Sequence, residues 1–144
     1  MKVTRMSKES RAVFLSQPTV AKLATLSKDG SIRMTPIWFR HDPDGSFVFA
    51  TWAKTAAARN IQANPRCSLL IDQEQGEPYY GIHFTGSATI EGPTNDLEGI
   101  AALYEPYKTS LEQARADSAP LIDEGEMVYI RFVPEGEVSW DFRE

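Results

Sequence analysis

A chain of 144 residues is the size of one domain. Its 42% apolar and 24% charged residues are enough for an ordinary folded core. A net charge of −5 and a pI near 5.1 exclude a general nucleic-acid surface, which needs clustered Lys and Arg, but leave room for one local anion site.

The N-terminal stretch MKVTRMSKES carries basic residues with no apolar run behind them, so no secretory leader is expected. Residues 8–16 read as a short helix. Ser7 can cap it, Val13 and Phe14 give an apolar edge, and Gln17-Pro18 ends it, because a residue before proline is pushed out of helical angles. From Thr19 the period changes. Residues 20–26 are apolar and β-compatible, stopping at the tight-turn signal Lys28-Asp29-Gly30. Residues 31–40 read as a second strand, with Ile32, Met34, Pro36 and Trp38 on one face and Arg33, Thr35, Ile37 and Phe39 on the other. Pro36 cannot donate to a ladder, so it marks an edge or a bulge. A turn at His41-Asp42-Pro43-Asp44-Gly45 leads to a third strand over 46–51, and the three are expected to form an antiparallel meander.

Residues 55–64 have helical composition, with Thr55 as N-cap and Pro65 as the stop. Strand character returns at 66–72, followed by a polar loop over 73–78. The cleanest alternation lies at 79–91. Ile82, Phe84, Gly86, Ala88 and Ile90 face one way and His83, Thr85, Ser87 and Thr89 the other, a half-buried strand with a bend at Gly86. Leu97, Ile100, Ala101 and Tyr104 then form the stripe of a helix. Pro106 interrupts it, and Ser110 with Gln113 offers a capping box for a second short helix to about residue 116. Two last strands are expected at 126–133 and 137–142, divided by Pro134-Glu135-Gly136. The expectation is a mainly β fold with short helices, one domain over 1–144, its seven or so antiparallel strands closed into a small β-barrel that removes exposed edges. No segment reaches the roughly 20 apolar residues of a membrane span.

The sequence carries no G-x-S-x-G elbow, and its acidic residues are scattered, so no catalytic side chain is assigned. Cys67, the one cysteine, lies in an apolar strand and has no intramolecular partner. It reads as a structural thiol and points to a reducing cytoplasm. No Cys/His cluster has metal-ligand spacing, and His41 sits in a turn. Ala50-Thr51-Trp52-Ala53-Lys54-Thr55 is more informative, because a strand ends there and a helix begins. The first N–H groups of a helix are unpartnered and carry the positive end of its dipole. Thr51, Lys54, Thr55 and Arg59 are residue types that add hydroxyl and cationic donors for phosphate. The same stretch also reads as a capped surface helix with two solvated charges. Thr35-Pro36-Ile37-Trp38 reads either as a flat shelf for a ring or as an edge strand whose Trp38 packs in a core or interface.

Taken in order, Leu23-Ala24-Thr25-Leu26, Lys28-Asp29-Gly30, Thr35-Pro36-Ile37-Trp38-Phe39, Phe49-Ala50-Thr51, Ala58-Arg59-Asn60-Ile61, Asn64-Pro65-Arg66-Cys67 and Phe84-Thr85-Gly86-Ser87-Ala88 resemble the pyridoxamine 5′-phosphate oxidase-like split-barrel family, in particular its flavin/deazaflavin oxidoreductase branch. The resemblance spans residues 20–91. It implies a six- or seven-stranded split barrel that forms a homodimer and binds FMN or the deazaflavin coenzyme F420 in grooves between subunits. The implied activity is hydride transfer to or from a small molecule. The implied cofactor set is Thr35, Pro36, Ile37 and Trp38 beside the ring, with Ala50, Thr51, Lys54, Thr55 and Arg59 toward the phosphate. Tyr79, Tyr80, His83 and Trp140 are the expected substrate or partner-subunit contacts. The chain departs from the family at Ala57, where many relatives carry Lys or Arg; Lys54, a turn earlier, is the expected substitute. It also lacks the longer C-terminal region of true pyridoxamine-phosphate oxidases, which turns the expectation from vitamin B6 toward another small molecule. The alternatives are a non-catalytic flavin- or haem-binding storage module and a cofactor-free barrel. No nucleic-acid or membrane partner is expected. The sequence leaves open whether the segment near Pro106 is a lid.

Overall fold

A computed structural model describes residues 5–143. Residues 1–4, within the stretch read as leaderless, and residue 144, the end of the expected domain, lie outside the described residues. Ser7 accepts from Ser10 N–H and opens α1, Lys8–Leu15, which buries Phe14 and Leu15. β1 (Ala21–Leu26) and β2 (Ile32–Ile37) form a hairpin. Gly30, at φ +85°, takes the left-handed position of its turn and donates to Ser27 O at 3.0 Å. β3 (Arg40–His41) and β4 (Phe47–Trp52) pair around the next turn. Thr55 then caps α2, Ala56–Ala63. β5 (Arg66–Asp72) and β6 (Tyr80–Thr94) follow, then α3 (Leu97–Tyr104), a 3-10 turn (Glu105–Tyr107), α4 (Leu111–Glu124) and β7 (Met127–Asp141).

The seven strands form one antiparallel sheet in the order β2-β1-β5-β6-β7-β4-β3. The expected meander is therefore corrected: β4 pairs with β7, and β2 lies at the opposite end of the sheet. The strand read as 31–40 breaks at Trp38-Phe39. Phe39 turns into the core against Phe47, with ring centroids 5.6 Å apart, and its N–H leaves the ladder to bond the Tyr107 hydroxyl at 3.1 Å. The two expected C-terminal strands are one. β7 absorbs Pro134 at a register slip opposite Thr85 and Gly86, where a missing N–H costs no ladder bond. Gly86 permits the slip, because a Cβ there would collide with the Val133 carbonyl.

The second short helix, expected to end near residue 116, runs on to Glu124 through Pro120. Its buried Ala114 and Ser118 pack the α3–α4 pair, and Leu121 O receives Trp52 Nε1–H at 2.8 Å. This anchoring outweighs the one helical bond Pro120 cannot make. The capping box is half formed: Gln113 N–H reaches Ser110 Oγ at 3.0 Å, but the Gln113 side chain bonds Asp117 instead.

Leu23, Phe47, Phe49, Leu69, Ile82, Phe84, Ile130 and Phe132 are fully buried in one cluster. They come from β1, β4, β5, β6 and β7, so strands that are not neighbours in the sheet share an interior because the sheet curls on itself. This is the mainly β split barrel. Each such side chain contributes about 1.5–3 kcal/mol of burial. A second cluster, with Val48, Ala50, Ile100, Leu103 and Met127 at its centre, fastens the α3–α4 arm to the β4–β7 pair. Among the described residues no helix is long and apolar enough to cross a membrane.

Candidate functional site

The curl brings β2 and its exit close to β4, and with the helical arm they enclose a cleft of about 610 Å³. Thr35, Pro36, Ile37 and Trp38 line one side, and Ala50 and Thr51 the floor. β2 is an edge strand, so the backbone on its side away from β1 has no strand partner. Pro36, which has no N–H, is half of a pair with Lys22 on β1.

The opposite wall comes from the arm: Tyr104, Lys108, Asp117 and Leu121. Two hydroxyls latch this wall to the barrel. Tyr107 donates to Thr19 O at 2.8 Å and accepts Phe39 N–H, while Tyr104 donates to Ala50 O at 3.3 Å. Burial raises both phenols, Tyr107 to about 12. Trp38 packs on this arm rather than in the barrel core. It stacks on Tyr107 (4.6 Å, 10° between planes), meets Tyr104 edge-on at 5.4 Å, and carries the Lys108 ammonium 5.1 Å from its ring centre. Lys108 pairs with Asp117 at 2.8 Å, and the hydrogen bonds from Lys108 and Gln113 hold that carboxyl below its ordinary value.

Toward α2, Thr51 Oγ1 lies 3.4 Å from Thr55 Oγ1. Thr55 is committed to capping: it donates to Trp52 O at 3.0 Å and accepts Ala58 N–H at 3.3 Å. The first bond within α2 is Arg59 N–H to Thr55 O, so the N–H groups of Ala56 and Ala57 have no intrahelical partner. Lys54 and Arg59 are exposed and do not line the cleft. The Lys54 ammonium rests 5.1 Å from the Trp52 ring centre, so it is not merely solvated. Ala57, where relatives carry a cation, is a core methyl, 3% exposed.

Sequence reasoning passed over Arg33. It shares a face of β2 with Thr35 and stands opposite Thr25, whose hydroxyl receives Asn60 Nδ2–H of α2 at 3.1 Å. Register thus sets a further exposed cation on the α2 side of the sheet; the alternation of residues 31–40 contained that signal. Tyr104, Tyr107, Lys108 and Asp117 were also missed, and no local pattern marks them.

Tyr79, Tyr80, His83 and Trp140 do not line the cleft. Tyr79 lies beside Trp140, ring centroids 5.8 Å apart. Tyr80 packs edge-on against Phe14 and lies under the Arg143 guanidinium at 3.8 Å. His83 stands on the outer face of β6 opposite Leu70 and Val138. That outer face also carries Ile32, Met34 and Val133, 69%, 61% and 50% exposed. Burial pushes the Cys67 thiol up to about 12, leaving it protonated and inert near neutrality. Among the described residues no group of three or more His, Cys, Asp or Glu side chains is placed to hold a metal ion.

The sequence model for pyridoxamine 5′-phosphate oxidase matches residues 6–132. The chain belongs to the pyridoxamine 5′-phosphate oxidase family. Solved structures show the same architecture. A conserved hypothetical protein from Mycobacterium tuberculosis is 27% identical, with a TM-score of 0.77 over 96% of this chain and 86% of its own. A protein named F420 reductase is 23% identical, with a TM-score of 0.67 over 88% of this chain and 94% of its own. The heme storage protein HutZ from Vibrio cholerae is 18% identical, with a TM-score of 0.68 over 95% of this chain and 96% of its own. The last two likenesses are of fold alone. The pyridoxamine 5′-phosphate oxidase-like fold is a flavin-binding fold, and the cleft lies where β2 and its exit meet the end of β4 and the helical arm; α2 itself does not line it.

Proposed function

We propose that this chain is an oxidoreductase that holds FMN or coenzyme F420 in the cleft between β2 and the β4–α2 junction, at a homodimer interface, and transfers hydride to or from a small molecule. The observation that supports this most is the convergence of Thr35, Pro36, Ile37 and Trp38 with Ala50 and Thr51 in one cleft, although the two segments sit near opposite ends of the sheet. The residues present fit such a group. Pro36, Ile37 and Trp38 offer a flat apolar strip, and the unpaired edge of β2 suits the polar rim of a ring. The N–H groups of Ala56 and Ala57 beyond Thr51 suit a phosphate.

When bound, the ring supplies the hydride chemistry. The chain's own residues bind and exclude water. Thr51 and the start of α2 take the tail, with Arg59 and Arg33 as the cations on that side. The backbone of β2 orients the ring edge, and Tyr104 and Leu121 add apolar surface to the opposite wall beside the Lys108–Asp117 pair. The exposed Ile32, Met34, Val133 and Val138 support a second copy docking on the outer face of the sheet. His83 and Trp140 then serve as contacts to that copy. The name of the F420 reductase relative favours the deazaflavin; the geometry accepts either ring.

Turnover separates this reading from storage. Protein loaded with FMN or F420 is reduced, mixed with an oxidised acceptor and followed by the visible spectrum of the ring. Repeated cycling at a rate above that of free cofactor is the expected result. A ring that binds and never cycles with any acceptor would make the chain a storage module.

A further inference from the structure

We infer that Lys108 is the ligand-recognising cation of the cleft, and that the small molecule it selects is a flat conjugated compound carrying a carboxylate. The inference rests on the cleft being the working site, as proposed above, and adds the class of molecule it accepts.

Lys108 and Asp117 are the charged residues that line the cleft, and both belong to the arm that faces β2. They pair at 2.8 Å but do not present equal chemistry to a ligand. Both oxygens of Asp117 are engaged, Oδ2 by Lys108 and Oδ1 by Gln113 Nε2 at 2.8 Å. The Lys108 ammonium has three hydrogens and gives one to Asp117, while the Trp38 ring supports its charge from 5.1 Å. Lys108 therefore keeps two hydrogens for a ligand, whereas each Asp117 oxygen already carries one bond.

Lys108 is also held in place before any ligand arrives. Its side chain is 24% exposed, braced between Asp117 and a Trp38 that is itself fixed by Tyr107 and Tyr104. A pre-positioned donor loses little rotamer freedom on binding. A charge-assisted bond to carboxylate is about twice as strong as a neutral one. The cleft that Lys108 lines also carries apolar and aromatic surface from Val20, Ile37, Trp38, Tyr104 and Leu121, which suits a ring rather than a flexible polar chain.

The test compares 2-naphthoate with its uncharged analogue 2-naphthamide, bound to the full chain and followed by calorimetry. Wild type is expected to prefer the carboxylate by about tenfold. The preference is expected to vanish in Lys108→Gln and to return in Lys108→Arg, which keeps the charge. Melting curves of both variants establish that they are folded. Equal binding of the two probes to wild type, or a preference that survives in Lys108→Gln, overturns the assignment. A melting rise of wild type with FMN or F420 alone, measured in parallel, reports on the cofactor reading separately. Its absence beside an intact carboxylate preference would remove the cofactor and leave Lys108 assigned; the reverse pattern would remove Lys108 only.

Discussion

His41 stacks on Phe47 at 4.4 Å, and its Nε2 is buried with no hydrogen-bond partner among the described residues. Burial first, and the Arg11 charge second, lower its pKa, while the Gly45 backbone, Asp42 and Asp44 act in the other direction. The folded state therefore prefers the neutral ring more than the unfolded chain does. Stability from this source is whole above the ordinary value of 6.5 and is lost as the pH falls from there toward the lowered one. In urea unfolding between about pH 7.5 and 5.5, wild type is expected to lose stability with acid, and His41→Gln to show a shallower slope. Parallel slopes would mean that His41 is not the titrating group. Asn60 illustrates the opposite case at this scale. Its amide satisfies Thr25, 1% exposed, and also Ser27, so one side chain pins α2 to the β1 hairpin.

At the scale of elements, the barrel side of the site was legible in the sequence and the arm side was not. A D-G turn, a proline in an edge strand and a threonine cap are local signals, and they located β4, α2 and the start of β2 to within a residue, while the end of β2 was placed three residues too far. The break at Trp38-Phe39 depends on Tyr107, 68 residues further on, and the continuation of α4 through Pro120 depends on Trp52, 69 residues from Leu121. Neither contact leaves a trace in local periodicity. The same holds for Lys108 and Asp117, whose place in the cleft follows only from how the arm docks. Tyr107→Phe removes the donor to Thr19 O and the acceptor for Phe39 N–H, a loss of about 1–3 kcal/mol. Hydrogen exchange is expected to quicken at residues 97–124 and around Phe39, with the barrel core unchanged. A uniform change across the chain, or none, would contradict the arm's being latched by that hydroxyl.

At the scale of the whole molecule, the curled sheet leaves an apolar outer face that water alone covers in a single chain. Ile32, Met34 and Val138 on it are each more than half exposed. If a second copy covers that face, Met34→Glu should shift the mass measured by light scattering from dimer to monomer, because the charge would be desolvated in the contact. A wild type already monomeric at all concentrations would contradict the homodimer. The proposed function sets the cofactor groove at such a contact, so on that reading loss of the dimer and weaker cofactor binding are expected together.

The central claim is that the convergence of β2, β4 and the start of α2 holds a phosphate-bearing ring. Its most direct test is the melting temperature of the chain with FMN or F420 at about one hundred times the dissociation constant. One of the two is expected to raise it by about 5–10 °C. Under the same conditions Arg33→Ala with Arg59→Ala should lose most of that rise. No rise with either molecule, or an undiminished rise in the double variant, would contradict the account.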